Sequence, residues 1–334
     1  MLLILTACAS VPRSQDPLPE QKIPLDGGAA AYLFINVPAA RPILNQVNLG
    51  GYNSAQLGEI LDKTRFAAAA LYSRSIRAVA WGDYPSFRAG MALGMSKEWK
   101  RQRSAAGKSY WYSAGRRLSL ALERGRAFAA LETAGFGPAP AETAALSPAT
   151  GEAVIAAGPY AQGPGIDIPE GFNAFREDAP LALWMENPAE PLDRFLGMLR
   201  LPIRIPAEQL MAALSALPGT GLADPQNTQE AAVPALPAAE NQETLYEIRL
   251  QIRTPSEASA RTFMTLYSTA RLFILRSGSQ GNQETIKLLN IFFTRPAEQQ
   301  GAYITLHSPP LNEHDIALLF NQFSVYSQGN LVIQ

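Results

Sequence analysis

Cysteine and histidine are almost missing from this chain: its 334 residues contain one cysteine, Cys8, and two histidines, His307 and His314. A single cysteine excludes an internal disulfide framework and the cysteine-rich zinc sites. The two histidines stand seven residues apart across Pro309 and Pro310, which is not the spacing that places two metal ligands on one helix face. The sequence therefore predicts no metal site and no cofactor.

The chain also lacks a charge excess and long hydrophobic runs. Its formal net charge is −1, whereas nucleic-acid-binding proteins usually carry a basic surplus. No later run reaches the roughly 18 apolar residues that a membrane-spanning helix requires. A hydrophobic content of 47% suffices for a sizeable core, and the length suggests two domains. We expect a folded body, no nucleic-acid partner and an oligomeric state that composition leaves open.

Recognisable catalytic motifs are missing as well. Residues 106–109, Ala-Gly-Lys-Ser, resemble the end of a phosphate-binding loop, but Gln102 occupies the place of the required glycine and a strand follows. The carboxylates Glu177 and Asp178 lie in a linker, where nothing would raise their pKa. His314 is better explained as a solvated residue at a helix start. We expect no catalytic residues, and a hydrolase with an unrecognised site is the alternative.

The first eight residues end in Leu5-Thr6-Ala7-Cys8, which resembles a bacterial lipobox. The resemblance implies that residues 1–7 are a signal remnant and that Cys8 carries a diacylglycerol anchor. An envelope location follows from it, and Ala9 in place of Asp favours the outer membrane, on its periplasmic face. The signal lacks a basic start, so the true start codon would lie upstream. The alternative is an ordinary apolar chain start.

Composition divides the rest of the chain. Residues 8–29 are rich in proline and are expected to form a spacer behind the anchor. Residues 30–132 form a first unit, and residues 133–180, rich in Ala, Gly and Pro, form an acidic linker. Residues 181–334 form a second unit with a flexible insertion at 218–243.

The two units share a sequence pattern. Residues 31–39 align without gaps with 181–189, and each run reads as an apolar strand stopped by proline. Helical stripes are predicted at 57–71 and at 210–217. The expected fold is α+β, with duplicated β-α-α-β-α-β-β units whose helices pack on mainly antiparallel sheets. The alternative is that the two halves are unrelated α+β units with a similar order of strands and helices.

Further elements are predicted from alternation and from helix-capping residues. Apolar and polar residues alternate over 246–252, which predicts a strand with one solvent-exposed face. A helix is expected after this strand, with Thr254 as its N-cap. Asn312 is expected to cap a last amphipathic helix. The remaining strands are predicted at 109–113, 118–122, 127–131, 286–294 and 302–307.

Charge is unevenly distributed. Residues 97–126 carry nine basic and two acidic side chains, and residues 133–193 carry nine acidic side chains against Arg176 alone. The Trp99–Tyr112 hairpin within the basic stretch could contact anionic lipid or a protein partner, whereas the simpler interpretation is a solvated hairpin face. The candidate contacts are Lys97, Trp99, Lys100, Arg101, Arg103, Lys108, Trp111, Arg116 and Arg117.

With its lipobox, size and helix-rich body, the chain is similar in outline to treponemal outer-membrane lipoproteins. The resemblance implies an α/β protein whose amphipathic helices bind lipid and perturb bilayers. We therefore expect a non-enzymatic envelope lipoprotein, tethered to the membrane through Cys8, that binds a fatty acid, a phospholipid or the membrane surface. A ligand would lie between helix and sheet or at the seam of the two units. An envelope scaffold, a protein-binding module and an envelope hydrolase are the alternatives.

Overall fold

The computed structural model describes residues 22–46, 54–132, 158–161, 163–176, 179–190, 192–193, 205–217, 244–277 and 290–319. The strands in these ranges are β1 Lys22–Ile23, β2 Ala31–Asn36, β3 Thr64–Leu71, β4 Ser75–Gly82, β5 Lys100–Arg103, β6 Ser109–Ser113, β7 Leu118–Glu123, β8 Arg126–Glu132, β9 Ile166–Asp167, β10 Leu181–Glu186, β11 Gln209–Ala216, β12 Tyr246–Arg253, β13 Glu298–Gln300 and β14 Tyr303–His307. The longer helices are α1 Val37–Gln46, α2 Ser54–Lys63, α3 Ser86–Met95, α4 Glu170–Arg176 and α5 Glu257–Ser277.

One antiparallel sheet dominates the fold. Its twelve strands run in the order β13-β14-β12-β11-β10-β2-β3-β4-β8-β7-β6-β5, and β1 pairs with β9 in a separate two-stranded sheet. The protein is therefore mostly β, and the expected α+β fold with duplicated β-α-α-β-α-β-β units is wrong. The expectation failed because segments that carry helical spacing of apolar residues are strands in the structure.

The stripe predicted as a helix at 57–71 belongs to two elements. Helix α2 ends at Lys63, and β3 follows at once with Thr64, Phe66, Ala68 and Ala70 buried and the residues between them half-buried. This alternation has the period of two that a strand requires. The alanines at 67–70 are compatible with a helix or a strand, because a run of identical small residues shows no periodicity. In the structure this segment is a strand that pairs with β2 and β4.

The helix predicted at 210–217 is strand β11. Leu210, Met211 and Leu214 are buried although they do not alternate, since Met211 faces one side of the sheet and the two leucines face the other. A strand covered on both faces loses its polar alternation. Its apolar residues then mimic helical spacing.

The segments aligned in the sequence form the centre of the sheet. Strands β2 and β10 pair antiparallel, with Leu33 opposite Leu183 and Phe34 opposite Ala182. Both are strands as predicted, but the proline after β2 begins a helix: α1 starts at Val37, and Pro38 takes its first turn, where the missing N–H costs nothing.

Several other predictions are confirmed, with corrections at the ends. Strands β6, β7, β8, β12 and β14 lie where alternation predicted them. Residues 290–293, predicted as strand, are helical, and 286–289 lie outside the described residues. The cap of α5 is Ser256, whose Oγ accepts from the amide of Ser259 at 3.1 Å, rather than Thr254. Asn312 caps helical residues 313–319 as predicted, accepting from the amide of Asp315 at 2.8 Å.

The two faces of the sheet are covered differently. On the face we call the α4 face, Tyr32, Phe34 and Trp184 pack against Phe172 and Phe175 of α4. On the opposite α5 face, Ile252, Ile304 and Leu306 pack under α5, while α1 and residues 313–319 cover the next part of the sheet. The functional candidates below are assigned to these two faces.

Residues 158–176, which we call the strap, lie across the α4 face. Arg77 of β4 donates to the Asp26 carboxylate, whose other oxygen accepts from the amide of Gly163 at 3.0 Å. The Tyr160 hydroxyl donates to the carbonyl of Ser109 at 2.9 Å. The strap, which belongs to the sequence-predicted linker 133–180, is therefore fixed to the sheet by polar contacts as well as by the aromatic packing of α4.

Candidate functional site

An apolar cavity of about 400 Å³ lies on the α5 face of the sheet. Strands β10, β11, β12 and β14 form its floor, and α5, residues 290–293 and residues 313–319 form its roof. Its volume lies in the range of roughly 300–1,000 Å³ that is typical of small-molecule sites. The cavity therefore occupies one of the two positions at which the sequence predicted a ligand, between helix and sheet.

The floor results from strand alternation. On β12, Ile248, Leu250 and Ile252 point into the cavity, while the polar residues between them, Arg249 and Gln251, point to the α4 face. On β11 the central lining residue, Ala212, is small and is flanked by Leu210 and Leu214. The methyl group of Ala212 is much smaller than the aliphatic side chains around it. Space is therefore left between the sheet and the segments that form the roof.

The roof is held together by Tyr267 of α5. Its ring stacks on Phe293 with centroids 5.0 Å apart, and its hydroxyl lies 2.7 Å from the carbonyl oxygen of Phe292 and 2.8 Å from that of Arg295. Burial raises the pKa of Tyr267 to about 12, so the phenol is neutral and donating at physiological pH. The hydroxyl is satisfied by the protein's own backbone.

A second side chain of α5 holds the same segment. Arg271 donates to the carbonyl oxygen of Phe293 at 3.1 Å and, through Nη2, to that of Thr294 at 2.9 Å. Tyr267 and Arg271 together hold residues 292–295 against α5 through hydrogen bonds to backbone carbonyl oxygens. The roof therefore acts as one unit in which Phe292 and Phe293 are positioned over the floor.

The chemistry available in the cavity is that of hydrophobic contact. Its lining residues are aliphatic and aromatic, with no acid, base or nucleophile other than the occupied Tyr267 hydroxyl. Within the described ranges, no group of three His, Cys, Asp or Glu residues could hold a metal ion. The described lining of this cavity suits a hydrocarbon chain.

The predicted Trp99–Tyr112 hairpin is present as β5 and β6 at one edge of the large sheet, with Arg101 opposite Trp111. Lys108 lies 4.7 Å above the Tyr160 ring and 3.5 Å from Glu123, and Arg116 pairs with Glu98 at 2.6 Å. The other basic candidates, all exposed, are Lys97, Lys100, Arg101, Arg103 and Arg117.

The tryptophans of the hairpin are not exposed together with these cations. Trp99 and Trp111 are both half-buried, and the Trp111 ring lies beneath Gly94 of α3. A Cβ at position 94 would come within 3.1 Å of that ring. Trp111 thus supports α3 rather than facing a partner directly.

Helix α3 carries an apolar surface that the sequence reasoning missed. Phe87, Met91 and Met95 are 78%, 51% and 76% exposed, and none of the residues of α3 is buried. Their spacing of four residues places them on one side of the helix, and α3 contains no acidic residue. This i, i+4, i+8 pattern was readable in the sequence, but only the structure shows that no part of the described chain covers it.

The predicted lipidation site, Cys8, lies outside the described residues, as do the signal remnant 1–7, the first part of the spacer and the insertion 218–243. Within 22–29, Ile23 and Leu25 are buried, so the end of the predicted spacer packs on the body. Among the described helices, none is long and apolar enough to cross a membrane.

Comparison with known proteins gives a likeness of fold. No family model and no curated protein matches the sequence. Crystal form IV of the treponemal protein TP0453 is similar with a TM-score of 0.50 at 14% identity, over 90% of this chain and 96% of that one. Crystal forms III and I give TM-scores of 0.49 at 14% and 13% identity, covering 90% and 91% of this chain and 95% and 99% of those chains. At such identities the likeness concerns the arrangement of the backbone and does not extend to a ligand or an activity.

Proposed function

We propose that this chain is a non-enzymatic, lipid-anchored protein of the cell envelope that binds the apolar part of a lipid in the cavity of the α5 face. The observation that carries the proposal is the cavity itself, about 400 Å³ of space lined by aliphatic and aromatic side chains. An unfilled apolar space of this size forfeits packing energy. A hydrocarbon occupant would recover that energy.

The lining also limits what the ligand can be. The one hydrogen of the Tyr267 hydroxyl is shared between two backbone carbonyl oxygens, so among the described lining residues no donor is left for a carboxylate or a phosphate. Burying such a head group without partners would cost several kcal/mol. The ligand class is therefore a fatty acid or phospholipid whose chain is enclosed and whose head group stays at the mouth.

Extraction tests this proposal on the full chain carrying Cys8→Ser, in which no covalent lipid can confuse the result. We expect mass spectrometry of an organic extract to find stoichiometric fatty acid or phospholipid. Ala212→Phe places a ring at the centre of the floor and should reduce bound lipid at least about tenfold, since filling the space removes about 1.4 kcal/mol or more of binding energy.

Ala258→Phe is the matched control, because Ala258 is exposed on α5 and outside the cavity. It should leave the lipid content unchanged. An extract without lipid from the parent chain, or equal lipid in parent and Ala212→Phe, would contradict the proposal. Both results would favour a scaffold or protein-binding role.

A second function, contact with an anionic membrane surface, is favoured by the exposed side of α3. The apolar residues Phe87, Met91 and Met95 are followed within eight residues by the exposed cations Lys97, Lys100, Arg101 and Arg103. Apolar side chains enter the interfacial region of a bilayer, while each cation near it adds about 1 kcal/mol of attraction to anionic lipid. This combination fits a membrane-facing side better than a freely solvated one.

Vesicle flotation separates the two contributions. We expect the Cys8→Ser chain to float with vesicles containing phosphatidylglycerol and to float less in high salt, which screens the cations. Replacing Phe87, Met91 and Met95 by Ser should abolish flotation while leaving the thermal midpoint nearly unchanged, because these side chains are exposed. Flotation that survives this triple change would exclude α3 as the contact.

The predicted lipid anchor at Cys8 is tested separately from the cavity and from the membrane contact of α3. Radiolabelled palmitate should enter the protein in its native cell, and Cys8→Ser should abolish the label. Recovery of the intact N-terminus from the cytosol would remove the envelope location without affecting the cavity.

A further inference from the structure

Strands β12 and β14 carry a cluster of charged residues on the α4 face, on the other side of the sheet from the cavity. Glu247 and Arg249 alternate with the cavity residues of β12, and His307 of β14 lies directly opposite Arg249. Arg295, in the residues that lead to β13, reaches the same cluster. Glu247 contacts both Arg295 and His307, and Arg249 is the neighbour of His307 across the strand pair.

The only carboxylate of the cluster is already engaged. One oxygen of Glu247 accepts from Arg295, and the other lies 3.1 Å from Nδ1 of His307. Neither contact involves Arg249. Glu247 therefore fixes two of the basic side chains, and no carboxylate among the described residues pairs with the third.

Arg249 has an environment that suits an anion. Its guanidinium lies 4.0 Å from the centre of the Phe175 ring, and within the described chain its side chain forms no ion pair, while its Nε is buried without a hydrogen-bond partner. The aromatic face compensates part of the desolvation. A half-buried guanidinium without an acceptor still loses the hydrogen bonds that it makes in water.

Few charged side chains of the described residues neighbour the cluster. Gln251 and Thr305, the next residues on the same face, are uncharged, and Arg253 is paired with Glu208 at 3.5 Å. Glu298 of β13, opposite Thr305, is exposed. Within the cluster itself, Arg249 and Arg295 against Glu247 give a net charge of +1.

We propose that Arg249, Arg295 and His307 form a binding site for an oxyanion of the phosphate class. The planar guanidinium of Arg249 donates two parallel N–H groups to phosphate oxygens, and Arg295 adds a second positive charge. His307, whose Nδ1 faces Glu247, borders the site. The site is separate from the cavity because the sheet lies between them. Its occupant is either a free phosphate-bearing solute or the phosphate of a lipid head group.

The two histidines of the chain make the test direct. In the full chain carrying Cys8→Ser, imidazole carbon–proton NMR should show two signals, which His314→Gln assigns. At constant pH, and with ionic strength matched by chloride, inorganic phosphate should move the His307 signal in a saturable manner. The His314 signal should not move, since His314 lies outside the cluster.

Arg249→Gln should raise the phosphate concentration that gives half of the His307 shift at least about tenfold, because it removes the charged guanidinium. Arg253→Gln is the matched control on the same strand and should leave the response unchanged, as should the cavity variant Ala212→Phe. A thermal melt of each variant checks that it is folded. An equal response in Arg249→Gln and the parent chain would overturn the proposal.

A soluble short-chain phosphatidylglycerol distinguishes the two sources. A response to inorganic phosphate supports a free oxyanion, and a response to the lipid alone supports a head group. A His307 signal that moves with neither probe overturns the site. The proposed lipid cavity would be unaffected by that result.

Discussion

At the scale of single residues, Gly82 occupies a tight place in this fold. A Cβ at Gly82 would lie 1.9 Å from the backbone oxygen of Lys63, where β4 pairs with the irregular start of β3. The neighbouring backbone is fixed by the sheet and cannot move away cheaply. No feature of the sequence distinguishes this glycine from the others, because the close approach exists only after β3 and β4 have paired.

We predict that Gly82→Ala lowers the free energy of unfolding by about 2 kcal/mol or more, since the new methyl overlaps backbone. Gly58→Ala is the matched control: Gly58 lies inside α2 with nothing within 4 Å of a Cβ. That change should instead stabilise by about 0.5–1 kcal/mol through helix propensity. Urea denaturation measures both, and equal effects in the two variants would contradict the packing described here.

Tyr267 gives the cavity roof a pH dependence. Burial raises its pKa from 10.0 to about 12, so its contribution to stability is fully present below pH 10 and is lost as the pH rises through 12. Tyr267→Phe should cost about 1–2 kcal/mol at neutral pH, because backbone carbonyl oxygens lose their donor. Stability should then fall less steeply between pH 10 and 12.

Thermal midpoints measured across that pH range check this prediction. Tyr303→Phe, at an exposed tyrosine of β14, is the control and should leave the midpoint nearly unchanged. An unchanged alkaline slope in Tyr267→Phe would mean that another group causes the dependence.

At the scale of elements, the strap shows how a segment predicted as linker becomes part of the body. Residues 158–176 contribute Phe172 and Phe175 to the core of the α4 face, and the Arg77–Asp26 pair fixes their N-terminal part to the sheet. Composition predicted a linker because Gly, Pro and Ala dominate the whole stretch 133–180. The few aromatic residues within it were enough to bury the strap.

We predict that Arg77→Met destabilises the protein by about 2 kcal/mol, because the change leaves the Asp26 carboxylate half-buried without its charged donor. It should also make the strap more sensitive to limited proteolysis. Lys22→Met removes an exposed ion pair with Asp167 at 3.7 Å and should cost less than about 1 kcal/mol. Equal losses in urea denaturation would contradict the importance of the buried pair.

At the scale of the whole molecule, one antiparallel sheet contains strands from both predicted units. Strands β10 and β2 are neighbours at the centre of the sheet and pair antiparallel. The hydrogen-bonded ladder is therefore continuous across all twelve strands. Trp184 of β10 stacks on Tyr32 of β2 at 4.9 Å across this pair. A continuous ladder with shared packing favours cooperative unfolding of both ends.

We predict a single unfolding transition. Variants that retain only Trp111, near one edge of the sheet, or only Trp184, at its centre, should lose their native fluorescence at the same urea concentration, because both report one cooperative unit. Two separate midpoints would show that the units fold independently. Leu33→Pro should destabilise both reporters together, since it removes a backbone donor from β2 at the centre of the sheet.

The sequence by itself determined the local elements with a consistent pattern. It placed the alternating strand β12, the hairpin β5–β6 and the cap at Asn312, because each depends on neighbours a few residues away. It also predicted an apolar site between helix and sheet, while the anchor at Cys8 stays a prediction. These features follow from local alternation, turn chemistry and composition.

Only the tertiary structure decided the sheet, the cavity and the exposed side of α3. The alanines of β3 and the leucines of β11 satisfy helical and strand periods equally, and pairing with neighbouring strands resolved the choice. The cavity depends on the small side chain of Ala212 meeting a roof from distant segments. Likewise, Phe87 is exposed, and the Nε of Arg249 is buried without a hydrogen-bond partner among the described residues, because exposure and partners are set by contacts that no local pattern encodes.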